Sequence, residues 1–336
     1  MVRAYAAAAP KAPMAPFEYD PGPLGPDQVE IAVTSCGLCH SDLSMADNAW
    51  GFTRFPFVPG HEVVGKVAAV GAGVKHLGPG QTVGLGWFAH SCGTCKACVA
   101  GDRNLCATAE QTIIGRHGGF GARVRAGADW VVPIPAGLDP SSAGPLFCAG
   151  ITVFNPIIQF GVRPTDHVGV IGIGGLGHLA LQFLNKWGCE VTAFTSSSSK
   201  RDEAVKLGAH RSVSSKDAEG MKALKGTLDF VISTVNANLD WPVILETLGP
   251  RGRLHVVGAV PDPIPVSAMT LLTAQRSVSG SPSGSPATLA AMLDFCARHK
   301  IAPIVERFPM SKVNEALAHL RSGKARYRVV LDNDLK

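Results

Sequence analysis

Apolar and polar residues change rhythm twice along this chain of 336 residues. In the first third the pattern is short and strand-like. Val29-Glu30-Ile31-Ala32-Val33 alternates, as do parts of Val63 to Val70, between turns such as Gly78-Pro79-Gly80. That pattern predicts an irregular β-rich domain carrying long loops. Near Val168 the rhythm lengthens. Val168-Gly169-Val170-Ile171 reads as a buried strand, and Leu176, Ala180, Phe183, Leu184 and Trp187 mark a helix stopped by Gly188. A strand Val191–Phe194, a helix Lys200–Leu207 ended by Gly208, a strand Phe230–Ile232, a helix Val243–Leu248, a turn Gly249-Pro250 and a strand Leu254–Val257 follow. Alternation of this kind predicts a parallel, doubly wound sheet. The tail changes character again, with an amphipathic helix through Val313, Ala316, Leu317 and Leu320, closed by Gly323, and a strand Tyr327–Leu331. It is expected to rejoin the N-terminal domain, leaving a cleft between two bodies.

Composition narrows the class. The chain is 46% apolar and 17% charged, long enough for two domains with full cores. A net charge of +5, with no Lys/Arg block longer than a pair, tolerates anionic ligands but supplies no basic stripe for nucleic acid. Ala6–Ala9 is too short and weakly apolar for a signal segment, and no apolar stretch reaches membrane-spanning length. Nine cysteines without a secretory signal read as thiols and metal ligands, and the cytoplasm is the expected compartment.

Four of those cysteines carry a specific signal. Cys92, Cys95, Cys98 and Cys106 are spaced C-x2-C-x2-C-x7-C, which brings four thiolates around one structural zinc within a short loop. A zinc ribbon for nucleic acid has similar spacing, but the sparse charge and the alternating half of the chain argue against it.

Gly172, Gly174 and Gly177 form G-x-G-x-x-G in Gly172-Ile173-Gly174-Gly175-Leu176-Gly177, between a predicted strand and a predicted helix. In that context the glycines make the turn, admit a pyrophosphate and pack helix on strand, while the helix N-terminus offers free amides. A site for NAD places a carboxylate after the second strand. Here Thr195, Ser196, Ser197, Ser198, Ser199, Lys200 and Arg201 follow instead. Hydroxyls and cations suit a 2′-phosphate, so NADPH is the expected cofactor.

Three more segments hold metal-ligand chemistry: Cys39 in GLCHSD, His61-Glu62 in PGHEVVG and Cys148 in CAGITVF. Singly, a buried cysteine or a lone histidine has an ordinary packing role. Together with the cysteine loop, GIGGLG and GKARYRVVL, in this order over nearly the whole chain, they resemble the zinc-dependent medium-chain dehydrogenases/reductases. The likeness is to the cinnamyl alcohol dehydrogenase branch, and within it to bacterial NADPH-dependent broad-range aldehyde reductases.

The resemblance implies a GroES-like catalytic domain over 1–149 and 287–336 and a Rossmann domain over 150–286. It implies two zinc ions per chain. One lies in the four-cysteine loop. The other is catalytic, held by Cys39, His61 and Cys148, with Glu62 able to take the fourth position and Asp42 orienting His61. This donor set is already established for alcohol dehydrogenase zinc and is not something the spacings yield. Ser41 matches the hydroxyl that hydrogen-bonds the alkoxide. Three residues on, where many relatives carry histidine, this chain has Ser44, which can pass a proton but not act as a base near neutrality. Ser44, His40, the cofactor ribose and water are the candidates for the proton route.

By the same matching Thr152 meets the nicotinamide, Val235 and Gly258 line its carboxamide side, and Ser281 and Arg328 approach ribose or phosphate. Trp50, Trp87 and Phe88 line a pocket for apolar aldehydes. The implied activity is NADPH-dependent reduction of an aliphatic or aromatic aldehyde, or the reverse oxidation of cinnamyl-type alcohols. The implied partners are that small substrate and a second copy of the chain, docked through the edge of the cofactor-domain sheet near Ser277 to Ser285. No nucleic-acid or membrane partner is implied. A ligand-sensing relative without catalysis would be expected to lack zinc ligands, and all are present. A Cys36–Cys39 thiol pair would compete with zinc at Cys39.

Overall fold

A computed structural model describes residues 1–195 and 200–335. The expected cofactor contacts Ser196 and Ser197 lie outside the described residues. The chain divides into two compact units, Met1–Ile151 with Ser283–Lys336, and Thr152–Pro282.

The first unit is built on a sheet ordered Val305–Pro309, Arg328–Asp332, Gln28–Leu38, Glu62–Val70, Thr82–Leu85 and Val132–Pro133, with Arg123–Gly127 also paired to Gln28–Leu38. The long strand Gln28–Leu38 makes this possible. Its register against Glu62–Val70 slips between Glu30 and Ile31 and again between Val33 and Ser35, so the strand bends and serves several neighbours. Alternation delivers Val29 and Ile31 to the core, where both are fully buried. The strand's last residues, Cys36 to Leu38, pair with Glu62, Val63 and Arg328–Asp332, and Cys39 follows at once as N-cap of helix His40–Ala46. The strand that organises the core therefore ends on a metal-ligand candidate.

The C-terminal segment contributes two edge-side strands and helix Val313–Arg321. That helix is tied to the N-terminal half at both ends. Asn314 exchanges two hydrogen bonds with the Met14 backbone (2.8 and 2.9 Å), and Arg321 makes a two-pronged pair with Asp47 (2.6 and 2.8 Å). Helix Pro286–His299 has no counterpart in the sequence expectations. Its buried Leu289, Met292, Leu293 and Cys296 follow the three-four helical rhythm, and Ser285 caps it by accepting from the Thr288 amide at 3.3 Å.

The second unit carries six parallel strands ordered Arg211–Ser214, Glu190–Thr195, His167–Ile171, Leu228–Ser233, Leu248–Val256 and Ser277–Gly280. In chain order this is 3-2-1-4-5-6, the doubly wound arrangement whose strand order reverses beside the first strand. Helix Gly177–Trp187 ends at Gly188, whose φ of +109° only glycine adopts without strain. Its face buries Phe183 against Phe154, with ring centroids 5.2 Å apart.

Gly249-Pro250, read from sequence as a turn, lies inside strand Leu248–Val256. Pairing with the neighbouring strand jumps from Leu228↔Leu248 to Phe230↔Arg253, so the extra residues bulge from one strand, with Arg251 at φ +61°. Among the described residues no single helix is long and apolar enough to cross a membrane.

Phe183 is fully buried, so Phe183→Ala is expected to lower the unfolding free energy by about 3–5 kcal/mol. Denaturant unfolding followed by intrinsic fluorescence checks this.

Candidate active site

The centre of the first unit is a buried carboxylate. Asp42, in the first turn of helix His40–Ala46, has no exposed surface and accepts on both oxygens. Its Oδ2 accepts from the Cys39 amide at 2.9 Å, and its Oδ1 accepts from the Gly60 amide at 2.8 Å and faces His61 Nδ1 at 3.0 Å. Gly60 is held at φ +104°, and a Cβ there would lie 2.7 Å from the Phe120 ring. The loop can therefore approach Asp42 only with glycine at that position.

With Nδ1–H donated to Asp42, a neutral His61 turns the lone pair of Nε2 the other way. Nε2 stands 3.3 Å from Cys148 Sγ, and Cys148 Sγ stands 3.9 Å from Cys39 Sγ. Thiolates bound to one tetrahedral zinc at about 2.3 Å would stand about 3.8 Å apart, so the spacing fits the ion. Cys39, His61, Glu62 and Cys148 each bring a ligand atom within 4.8 Å of the others. Cys39 is the thiol held well below its ordinary pKa, chiefly by the hydrogen bond from Cys148. Burial works against charge on His61, and Asp42 outweighs it.

Glu62 is also fully buried. Burial drives its carboxyl up to about 7, opposed by Arg328. One oxygen pairs with the Arg328 guanidinium, while Oε2 is buried without a hydrogen-bond partner. A carboxylate grouped with two thiols and an imidazole is the chemistry of a metal site. Its position depends on a residue the sequence reading passed over. A Cβ on Gly37 would lie 1.9 Å from Glu62 Oε2, so the glycine of GLCHSD makes room for the carboxylate. Arg328, expected at ribose or phosphate, is buried and paired with Glu62, whose carboxylate has no solvent to stabilise it.

The cysteine loop forms a second cluster. Cys92 Sγ lies 3.9 Å from Cys98 Sγ and 3.6 Å from Cys106 Sγ, and Cys95 completes the group. The amides of Thr94 and Cys95 hold the Cys92 thiol down to about 5, poised as a thiolate. These separations again match four sulfurs around one zinc.

The aromatic candidates part company. Trp87 stands edge-on to His61, centroids 5.0 Å apart, and Trp50 meets Trp87 at 6.2 Å. Phe52, absent from the sequence expectations, stacks on Trp50 at 5.9 Å and is half exposed. Phe88 is buried against Trp130 at 5.2 Å and, with Trp87, lines a small pocket. Ser41 Oγ lies 3.8 Å from Cys39 Sγ, and His40 is exposed.

In the second unit the glycine loop divides its labour. A Cβ on Gly172 would strike Val235 at 2.4 Å, one on Gly177 would strike the Gly172 carbonyl at 1.8 Å, and one on Gly174 would meet nothing. The first and third are packing glycines, and the second leaves backbone open to a ligand. Gly175 and Leu176 lead from the loop into helix Gly177–Trp187. A cleft of 580 Å³ lies at the carboxyl ends of the strands, lined by Gly172, Gly174, Thr195, Lys200 and Val235 among others. Gly258 packs so closely on Val235 that a Cβ would lie 2.1 Å from its carbonyl oxygen. Thr234 and Asn236, not singled out from sequence, brace this region. Thr234 Oγ1 donates to Ile171 and Gly172 carbonyls (3.0 and 2.9 Å), and Asn236 Oδ1 accepts from the Ala259 amide at 2.9 Å. Ser281 is bound to His255 at 3.0 Å, and Thr152 stands in helix Ala149–Gln159.

Asp42→Asn keeps the shape but weakens the acceptor to His61, and is expected to reduce metal affinity about 10–100-fold. Competition with a chromophoric chelator measures it. Unchanged metal retention would remove Asp42 from this role.

Comparison with known proteins places the chain in a family. Residues 25–136 match the alcohol dehydrogenase GroES-like domain, and residues 175–298 match the zinc-binding dehydrogenase domain. The chain is 57% identical over 333 residues to an aldehyde reductase, AdhA, of Synechocystis, covering 99% of each. It is 43% identical to a probable cinnamyl alcohol dehydrogenase 8A of rice, covering 95% of this chain and 91% of that one. Among solved structures, a cinnamyl alcohol dehydrogenase of Sorghum bicolor superposes with TM-score 0.94 at 39% identity over 98% of this chain and 97% of that one. A CAD from Helicobacter pylori complexed with NADP(H) gives TM-score 0.89 at 29% identity over 98% and 97%. The chain thus belongs to the zinc-dependent medium-chain dehydrogenases/reductases, as an alcohol dehydrogenase or aldehyde reductase.

Proposed function

We propose that this enzyme works chiefly as an NADPH-dependent reductase of apolar aldehydes, converting aldehyde, NADPH and a proton into alcohol and NADP⁺. The observation that carries the cofactor choice is the end of strand Glu190–Thr195. Lys200 lines the cleft there, and no carboxylate intervenes in sequence between Thr195 and Lys200. A cation favours a 2′-phosphate, and a carboxylate would repel it. The related Helicobacter pylori structure complexed with NADP(H) is consistent with this choice.

Cys39, His61 and Cys148 would hold the catalytic zinc, with Glu62 the alternative ligand, and Cys92, Cys95, Cys98 and Cys106 the structural one. Bound at the first site, zinc supplies Lewis acidity to a carbonyl oxygen, and NADPH supplies the hydride. The residues of the chain do the rest. Asp42 keeps the proton of His61 on Nδ1. Ser41, beside Cys39, donates its hydroxyl proton to the product oxygen and takes another from water, since Ser44 cannot serve as a base. Trp87, Trp50 and Phe52 offer an apolar wall that suits hexanal, benzaldehyde or cinnamaldehyde. Thr152, Val235 and Gly258 are assigned to the nicotinamide side. Gly172, Gly174, Gly175, Leu176 and Gly177 are assigned to the pyrophosphate, and Thr195, Ser196, Ser197 and Lys200 to the adenosine ribose and its phosphate.

Oxidation of cinnamyl-type alcohols is the same chemistry run backwards, and the names of the plant relatives favour it as the second reading. A homodimer is proposed through edge strand Ser277–Gly280, where helix Ala268–Leu272 exposes Met269 and Leu272. A reducing compartment such as the cytoplasm suits nine unpaired cysteines.

Replacing both Lys200 and Arg201 by Ala is expected to raise KM for NADPH about 10–100-fold while moving KM for NADH little. Initial rates with hexanal and each cofactor decide it, and an equal loss with both would place the 2′-phosphate elsewhere. Trp50→Ala combined with Phe52→Ala is expected to raise KM for cinnamaldehyde several-fold more than for butanal. Parallel changes for the two aldehydes would exclude these rings from the pocket.

A further inference from the structure

His255 is a buried titratable side chain of the second unit to which the proposed chemistry gives no task. It sits on strand Leu248–Val256 with no exposed surface, packed against the rings of Phe160 and Phe230 at 5.1 and 6.1 Å. Burial, reinforced by Arg253, pulls its pKa down to about 4, so the ring is neutral at physiological pH. A neutral imidazole has one donor and one acceptor, and here both meet hydroxyls. Nδ1 lies 3.0 Å from Ser279 Oγ and Nε2 lies 3.0 Å from Ser281 Oγ.

The two serines differ in position. Ser279 lies within the last strand, opposite His255 in register. Ser281 is the first residue beyond it. Gly280 pairs with Val256, Val256 with Ser233, and Ser233 with Ile171, whose next residue is Gly172 of the glycine loop. Ser281 therefore stands on the carboxyl edge of the sheet, the edge at which ligands of doubly wound folds bind. A serine hydroxyl on an edge strand ordinarily turns among three rotamers. Bound to a ring wedged between two aromatics, this one cannot turn freely.

We propose that His255 is a positioning residue of the cofactor site: braced by Ser279, it fixes the Ser281 hydroxyl toward a polar group of the bound nicotinamide dinucleotide. This rests on the NADPH-dependent reading above. The ring touches no ligand itself. Its contribution is to present a hydroxyl already oriented, so that binding does not have to order it.

Two near-isosteric substitutions separate this role from simple packing. The amide of Gln reaches the place of Nε2 and keeps the Ser281 bond, whereas the shorter Asn reaches only the place of Nδ1 and keeps the Ser279 bond. In the full-length zinc-loaded enzyme, NADPH dissociation constants by fluorescence titration and melting temperatures are measured for wild type, His255→Gln, His255→Asn, Ser281→Ala and the pair His255→Asn with Ser281→Ala. His255→Asn and Ser281→Ala are each expected to weaken NADPH about five- to tenfold, the pair no more than either alone, and His255→Gln about twofold or less. Affinities that fall in step with melting temperature for Gln and Asn alike, or Ser281→Ala binding like wild type, overturn the proposal and leave the NADPH reading standing. A wild type that binds no NADPH overturns both. Should the His255 variants fail to fold, Ser281→Ala alone still decides whether the hydroxyl is used.

Discussion

One buried carboxylate holds the catalytic unit to its purpose. Asp42 bonds the amide of Cys39, the amide of Gly60 and the ring of His61 at once. A carboxylate without solvent is costly unless its lone pairs are satisfied, and these three donors satisfy it. In doing so they join the end of the long strand Gln28–Leu38 to the loop before strand Glu62–Val70. Two metal-ligand candidates that lie twenty-two residues apart in sequence are thereby set in register. The metal site is a consequence of that closure.

A second closure follows from the first. Register opposes Gly37 to Glu62, and the missing side chain of Gly37 is what the Glu62 carboxylate occupies. Arg328, arriving on the neighbouring strand from the far end of the chain, compensates its charge. The arrangement gives Glu62 one oxygen paired with arginine and one buried without a hydrogen-bond partner.

The cofactor unit meets its demand with backbone. Its glycines are spent where chain meets chain, at Gly172 and Gly177, and where chain is to meet ligand, at Gly174. A lysine lines the cleft where other members of the fold class carry a carboxylate. Catalytic and cofactor chemistry thus rest on separate units with separate devices.

The doubly wound unit was legible because each strand and helix is periodic and its ligand loop is contiguous. The four-cysteine loop was legible for the same reason: its donors are local. Side-chain partners were less legible, because they are non-local. Phe88 packs beside Trp130, forty-two residues away, and Arg328 from the far end of the chain pairs with Glu62. Helix Pro286–His299 was missed although its apolar rhythm is regular, and Gly249-Pro250 is a bulge, not a turn. By itself the sequence determined the fold class, the glycine loop and the cysteine loop, because local spacing is enough to form them. Only the tertiary structure decided that Asp42 also holds the Gly60 amide, that Gly37 makes room for Glu62 and that His255 holds Ser281. Those relations join residues distant in the chain, through contacts that exist only once the strands are in register.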